Sequence, residues 1–545
     1  MLEGLMQNDY QLTLKHVLDR MRGPCADAEV VTLTDGGTTR AAYGEVAERV
    51  DALARGLESL GVRQGDRVAT FMWNSQPHLE LYMAAPCRGA VLHMINIRLF
   101  EEQLTYIVNH AQDKVIFVDD SLVPLLAKVA PSFETVERYV VVGDGDAGPL
   151  PNAIRYEDLI AEHRGAYDYP ELDERTAAGL CYTSGTTGNP KGVLYSHRSN
   201  VLHCMASALA DTIGVTASDR VLPVVPMFHV NAWGFPYACA MVGAGLVMPG
   251  RFLQAEPLAN LIESERVTIA GAVPTIWMDL LRYADEKKPD LSSLRTVVCG
   301  GAAVPESLMR GFEERHGVKI MQAWGMTETS PIGSVARPPA DAEGEEHWRY
   351  RTATGRIVPL VDVRLMGDEG EVPWDGESTG EVEVRGPWIA REYYEDPSGA
   401  DKFHDGWLRT GDVASIDPKG FLRITDRAKD LIKSGGEWIS SVELENALMS
   451  HPDVMEAAVI AKPDERWTER PLACIVCREG ASPAPEDLRA HLEPLVAKWW
   501  LPDEYAFIEA VPKTSVGKFD KKVLRSRLAE GQLATAPAEA TQPAK

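Results

Sequence analysis

Three features of the 545-residue sequence predict an α/β fold. Up to about Gly355, stretches of helical 3–4 spacing alternate with short apolar runs, the pattern of helices layered on largely parallel sheets. From there the texture changes to short β-like runs separated by Gly, Asp and Pro turns. Beyond Asp426 a compact α+β pattern fills about 100 residues, enough chain for a domain. The predicted organisation is a large N-terminal domain (1–426) of layered α/β sheets with a β-rich sublobe at about 355–426. A small α+β C-terminal domain (427–533) and a disordered tail (534–545) follow.

Val46, Val50, Leu53, Leu57 and Leu60 share one face of a helix that Gly61 ends. Arg67–Met72 reads as a strand, and Lys114–Val118 repeats the type after another helical stretch. In the sublobe, Val361–Leu365 and Gly380–Val384 are strand-like. Ser440 and Glu443 fit a capping box for a helix carrying Leu444 and Leu448. Strands at Ala457–Ala461 and Leu472–Val476 come next, then a helix around Leu488–Trp499. From Ala534 the chain is rich in Ala, Pro, Thr and Gln, with little to bury.

The composition, 45% apolar and 25% charged, is that of a soluble globular protein. A net charge of −25 argues against nucleic acid or an anionic membrane surface as the main partner. Any phosphate site must therefore be built locally, from a few cations and backbone N–H groups. The N-terminus carries Glu3 and Asp9 and lacks the basic-then-apolar plan of a signal peptide. Val221–Gly250 runs 30 residues without an acid, Lys or Arg, but Pro223, Pro226 and Pro236 break it. That stretch reads as a buried, irregular, pocket-lining segment rather than a transmembrane helix. Eight scattered cysteines, mostly in apolar surroundings, indicate reduced thiols and a cytoplasmic protein. In Cys474-Ile-Val-Cys477 the strand period sends the two sulfurs to opposite faces, which disfavours a shared metal.

The strongest chemical signal is Tyr182-Thr-Ser-Gly-Thr-Thr-Gly-Asn-Pro-Lys-Gly192. Thr183, Ser184, Gly185, Thr186, Thr187 and Gly188 let backbone N–H groups crowd round phosphate oxygens, and Lys191 adds a cation. A Walker loop has Lys followed directly by Ser or Thr at a helix start. Here Pro190 precedes the Lys and β-prone Val193-Leu-Tyr195 follows, so the loop is predicted to join two strands. With it come Trp324-Gly-Met-Thr-Glu328, Thr410-Gly-Asp412, Asp426-Arg-Ala-Lys-Asp430, Lys433-Ser-Gly-Gly-Glu-Trp438 and Pro512-Lys-Thr-Ser-Val-Gly-Lys518.

In this order, over nearly the whole chain, these motifs resemble the adenylate-forming superfamily of acyl-CoA synthetases, aryl-CoA ligases, peptide-synthetase adenylation domains and luciferases. Met227-Phe-His-Val-Asn-Ala-Trp233 and the Gly-Gly-Glu-Trp run are most like the medium- to long-chain fatty acyl-CoA synthetases. The resemblance implies attack of a carboxylate on the α-phosphorus of MgATP, giving acyl-AMP and pyrophosphate, followed by displacement of AMP by the thiol of CoA. Both reactants of the first step are anions, so cations and Mg²⁺ carry most of the catalysis.

By resemblance, Lys518 is the catalytic lysine of adenylation, although it also sits in a run of lysines that reads as solvated surface. Glu328 and Thr183 are implied Mg²⁺ ligands through hard oxygens. Asp412 is the implied acceptor for two ribose hydroxyls, assisted by Arg427; alone it reads equally as an Asx turn at Gly411. Gly301, Gln322, Ala323 and Trp324 form the implied adenine slot, with Thr327 meeting a phosphate. Relatives commonly carry Tyr where this chain has Trp324, which keeps the stack and loses a phenol hydrogen bond. Lys429, Lys433 and Trp438 join the nucleotide face when the mobile C-terminal domain closes, with Lys429 at its hinge; Trp438 also fits a core aromatic. Ser434, Gly435 and Gly436 are implied contacts of the pantetheine of CoA. His229, Val230 and Trp233 belong to the acyl side, with Trp233 at the position of a tunnel gate; His229 serves equally well as a satisfied core histidine.

The expected activity is therefore that of a cytoplasmic, Mg²⁺-dependent, AMP-forming fatty acyl-CoA synthetase acting on ATP, a fatty acid and CoA. Homodimerisation is implied by the resemblance alone. A CoA ligase for a methylthiopropionate, aryl or branched acid is the nearest alternative. An acyl-AMP ligase serving a separate carrier protein is the next, and a non-catalytic nucleotide- or acyl-binding protein is the alternative from another class.

Overall fold

The computed structural model describes residues 2, 4–183, 189–367, 369–427, 430–434, 437–514 and 519–538, without the side chains of Glu437 and Trp438. Three sheets organise them. A seven-stranded sheet runs Ala153–Arg155, Arg138–Val142, Asp113–Asp119, Arg67–Phe71, Val91–Met94, Ala177–Tyr182 and Gly192–Ser196 in spatial order. All its pairs are parallel except the last, in which Tyr182 lies opposite Gly192. The helix Tyr43–Ser59 buries the predicted Val46, Val50, Leu53 and Leu57 stripe, and the chain leaves it through Gly61 at φ +75°.

The second sheet has fifteen strands. Glu29–Thr34, Gly245–Met248, Arg220–Pro223, Ile269–Ala272, Thr296–Gly300 and Ile320–Gly325 form a parallel block, buried as continuous apolar strands covered by helices. The β-rich stretch from Gly355 is not a separate sheet. Ile332–Val335 pairs antiparallel with Ile320–Gly325 and then with Gly355–Ile357, which pairs with Phe421–Arg427. Trp407–Ile416, Gly380–Arg385 and Asp362–Gly367 continue the same sheet outward.

From Ile432 the strands form a sheet of their own around the long hairpin Val454–Asp464 and Thr468–Cys477. The Ser440 hydroxyl accepts from the Glu443 N–H at 3.1 Å and caps the helix Ser441–Met449. Two expectations are corrected here. The helix placed around Leu488–Trp499 is Pro485–Leu492, followed by a short 3₁₀ turn at Lys498–Trp500. Pro494 has no N–H to give Ala490, and its ring crowds that carbonyl, so the helix stops. The tail placed at 534–545 begins as a strand, Thr535–Pro537, because the open edge of Glu504–Phe507 supplies main-chain partners. Residues 539–545 lie outside the described residues.

All eight cysteines are free, and seven are buried. Cys474 and Cys477 pack into different apolar clusters on the two faces of their strand. Among the described residues no helix is long and apolar enough to cross a membrane.

Candidate functional site

A cavity of about 500 Å³ opens beyond the carboxyl ends of Thr296–Gly300 and Ile320–Gly325, where α/β sheets place their ligands. One wall is apolar: Ile213, Val230, Trp233, Val298, Pro331 and Ile332. The other carries Thr183, Lys191, Thr327, Glu328, Thr410 and Arg427. Lys191, Lys402, Arg409 and Arg427 stand there against Glu328, Glu381 and Asp401, so cations outnumber carboxylates at the cavity although the whole chain has 55 Lys+Arg against 80 Asp+Glu.

Thr183 and Lys191 flank a loop whose inner residues, Ser184–Gly188, lie outside the described residues. Two bonds close its neck: the Thr183 N–H donates to the Lys191 carbonyl at 2.9 Å, and the Lys191 N–H to the Thr183 hydroxyl at 3.0 Å. The antiparallel pairing of Ala177–Tyr182 with Gly192–Ser196 agrees with a loop that joins two strands. The Lys191 ammonium lies 3.5 Å from Asp396 and 4.9 Å from the Tyr393 ring centroid.

Glu328 is buried on a 3₁₀ turn, Thr327–Thr329, and its Oε1 accepts the Tyr393 hydroxyl at 2.6 Å. Burial and the Glu328 carboxylate together push the Tyr393 phenol up from its ordinary pKa, so it stays a donor. The Thr327 carbonyl accepts the Tyr195 hydroxyl at 2.9 Å, which joins this turn to the strand after the Thr183 loop.

Asp412 lies opposite Arg427 in an antiparallel pair, buried just behind the cavity wall. Its Oδ1 is 3.1 Å from Arg427 Nε, and its Oδ2 accepts the indole N–H of Trp324 at 2.9 Å. Asp412 in turn raises the Arg427 pKa. The Trp324 ring therefore supplies a donor as well as a flat wall. Gly333 makes room for it, since a Cβ there would come within 2.4 Å of the indole.

Gly301, at φ +87°, Ala323 and Trp324 border the cavity. Gln322 does not: its amide oxygen accepts from Val304 N–H at 2.8 Å and its amide nitrogen donates to the Ala353 carbonyl at 3.0 Å, a bolt between three segments.

His229, Val230 and Trp233 do line the cavity, through an unusual backbone. Val230, Asn231, Ala232 and Trp233 have φ between 46° and 57°, and Gly234 follows at 78°. Each L-residue held left-handed costs roughly 1–2 kcal/mol, so this turn persists only because its surroundings dictate it. Val230, Asn231 and Ala232 are buried, and the Asn231 amide donates to Asn200 at 3.3 Å. The result is an indole laid over two strand-end glycines: Cβ atoms at Gly271 and Gly300 would lie 3.5 and 3.6 Å from it.

Lys433 and Ser434 are not on this wall. Lys433 is exposed, its N–H bonded to Glu469 at 2.8 Å, and buried Ser434 accepts from Arg470 at 3.2 Å. Trp438 lies opposite Lys433 in a short antiparallel pair. Lys429, Gly435, Gly436 and Lys518 lie outside the described residues. Sequence reasoning missed Tyr393 and Asp396, which sit in a turn-rich stretch with no spacing to mark them.

Residues 19–394 match the family model described as AMP-binding enzyme, and residues 443–518 the model of the AMP-binding enzyme C-terminal domain. The chain is 45% identical to the 3-methylmercaptopropionyl-CoA ligase of Ruegeria lacuscaerulensis, over 94% of this chain and 97% of that one. It is 46% identical to the long-chain-fatty-acid–CoA ligase of Thermus thermophilus, over 95% and 96%. A crystal structure of an anthranilate CoA ligase in complex with anthranoyl-AMP superposes with a TM-score of 0.87 at 27% identity, covering 97% of this chain and all of that one.

Proposed function

The chain belongs to the AMP-binding enzyme family, and from that premise we propose that it is an ATP-dependent, AMP-forming acyl-CoA synthetase whose acid is a fatty acid. The observation that carries the reading is one cavity with an uncharged apolar wall beside a wall of hydroxyls, cations and a carboxylate. An alkyl chain fits the first and a nucleotide the second, which brings the acid's carboxylate to the phosphates at their boundary.

In this reading a carboxylate oxygen of the acid attacks the α-phosphorus of ATP. The new P–O bond forms as the bond to pyrophosphate breaks, and the thiolate of CoA later displaces AMP from the acyl carbon. Lys191 and the Thr183 loop hold the triphosphate as cation and N–H donors. Trp324, Gly301 and Ala323 accept the adenine, while Asp412, held by Trp324 and Arg427, keeps lone pairs for the ribose hydroxyls. Lys518, Lys429, Lys433, Trp438 and the Ser434-Gly435-Gly436 run are assigned to the C-terminal domain's share of the two half-reactions.

Glu328 and Thr183 are the residues that would hold Mg²⁺. Their hard oxygens suit it, and among the described residues no three His, Cys, Asp or Glu gather to hold a metal alone. That donor set fits an ion that keeps water and phosphate ligands. Mg²⁺ bound there supplies positive charge to the phosphate oxygens. Eight free thiols support a reducing, cytoplasmic setting.

Pyrophosphate release with a panel of acids, with and without CoA, tests the proposal. Acid-dependent release with acyl-CoA formation is expected, strongest on straight-chain acids. A preference for 3-methylthiopropionate would favour the neighbouring reading, since relatives of both names are equally similar. Release without transfer to CoA would favour a carrier-protein acceptor, and no release with any acid would overturn the reading.

A further inference from the structure

Tyr393 belongs to none of the ordered motifs, yet it touches two of the charged groups on the cavity wall. Its hydroxyl donates to Glu328 Oε1 at 2.6 Å, and its ring face carries the Lys191 ammonium at 4.9 Å. The surrounding segment is pinned to the same two places. The Tyr394 N–H donates to the Gly192 carbonyl, beside Lys191, and the Ala390 N–H to the Glu328 carbonyl, each at 2.8 Å. Asp396 adds its carboxylate 3.5 Å from Lys191. Gly399 leaves the space for all this: a Cβ there would fall 2.4 Å from the Tyr393 ring and 2.9 Å from Lys191 Nζ.

We propose that Tyr393 is a positioning residue for adenylation, one side chain that sets the Glu328 carboxylate with its hydroxyl and Lys191 with its ring. The inference rests on the activity proposed above, in which those two groups meet MgATP. A carboxylate has about four lone-pair sites. Taking one on Oε1 fixes the carboxylate's rotation and leaves the other oxygen directed, where a free carboxylate would turn. The ring face attracts the ammonium without neutralising it, so the charge remains available to phosphate. The two contributions separate by substitution: Tyr393→Phe removes only the hydroxyl, and Tyr393→Leu removes the ring as well.

Acid-dependent exchange of pyrophosphate into ATP reads adenylation alone, and thioester formation from supplied acyl-AMP reads the second half-reaction. In Tyr393→Phe, kcat for exchange should fall about tenfold, as for loss of a hydrogen bond to a charged group, and half-saturation by Mg²⁺ should move upward. The KM for the acid and the thioester half-reaction should stay within about twofold. Tyr393→Leu should in addition raise the KM for ATP. Independently of turnover, Mn²⁺–ATP binding followed by electron paramagnetic resonance should weaken in Tyr393→Phe.

A Tyr393→Phe enzyme equal to wild type in exchange and in Mn²⁺–ATP binding would overturn the proposal. Equal losses in both half-reactions with a lowered melting point would overturn it too, by marking an ordinary structural aromatic. Wild-type protein that exchanges with no acid would sink the ligase reading and this inference with it. Normal wild-type exchange beside an unaffected variant sinks the inference alone.

Discussion

Replacing Trp233 by Ala separates a gate in the acyl pocket from a wall of the core. The indole is part-buried on the cavity surface and rests on Gly271 and Gly300. Its removal deepens the cavity toward the strand ends without emptying a fully buried site. The stability loss should therefore fall below the ~3–5 kcal/mol of a core tryptophan. Backbone strain is carried over unchanged, because Ala is no more at ease than Trp at φ +57°. Each methylene newly admitted gains ~0.8 kcal/mol, about fourfold in kcat/KM. Three more methylenes would then gain up to roughly sixtyfold. The assay is kcat/KM across straight-chain acids from short to long, beside the KM for ATP and a melting curve. A profile shifted toward longer acids, with ATP use unchanged and the melting point down by a few degrees, is expected. An unchanged profile with a melting point lowered as for a core residue would refute the gate.

Trp324→Phe keeps an aromatic wall but leaves Asp412 without its indole donor, and should raise the KM for ATP about tenfold with the KM for the acid unmoved; an unchanged KM for ATP would rule out the donor's role. Burial pushes the Glu445 carboxyl up to about 7 beside Lys521, so between pH 4.5 and about 7 the folded chain holds a proton that the unfolded chain releases. Its contribution is full below that window and is lost as pH rises through it. In Glu445→Gln the fall, on the order of 1–3 kcal/mol, should be missing from denaturation curves taken across those pH values; a slope like the wild type's would show that another group titrates. Lys518→Ala should abolish acyl-AMP formation and spare thioester formation from supplied acyl-AMP, whereas equal loss in both would remove Lys518 from adenylation.

The fold class was legible because alternation of helix and strand periods is a local property. The helix face at Val46–Leu57 and the strands at Arg67–Phe71 and Asp113–Asp119 each carry their own pattern. The continuity of the fifteen-stranded sheet was not legible. It depends on Gly355–Ile357 meeting Phe421–Arg427 across some sixty residues, and no short-range signal specifies that pairing. The strand at Thr535–Pro537 was hidden for a related reason, since a polar segment can pair with an open edge through main chain alone. At the site, glycine and hydroxyl spacing marked the stretch from Thr183 to Lys191, and the structure places both of those residues at the cavity. Tyr393 had no such mark, because its partners lie 65 residues back along the chain and farther. Trp324 was marked in the sequence by its motif, but its hydrogen bond to Asp412 spans 88 residues and needed the folded sheet.

In the proposed reading, how so acidic a chain recruits a nucleotide follows from the way its cavity cations are held. Lys191 faces Asp396 at 3.5 Å, Arg427 faces Asp412 at 3.1 Å, and Arg409 is paired with Glu381. These carboxylates offset the mutual repulsion of the cations, at little net gain because the pairs are partly exposed. In the proposed reading an entering triphosphate replaces Asp396 at Lys191, while Arg427 goes on holding Asp412. A singly charged anion gains little from that exchange, whereas a chain of phosphates can engage several cations and backbone N–H groups at once. Selection then rests on the number and spacing of phosphate oxygens rather than on long-range attraction. A net charge of −25 repels ATP beyond the Debye length only weakly, since salt screens it at about 8–10 Å. Screened in this way, the acidic surface costs little in association rate, and in the proposed reading the affinity is set where Lys191, Glu328 and Asp412 are already oriented by their neighbours.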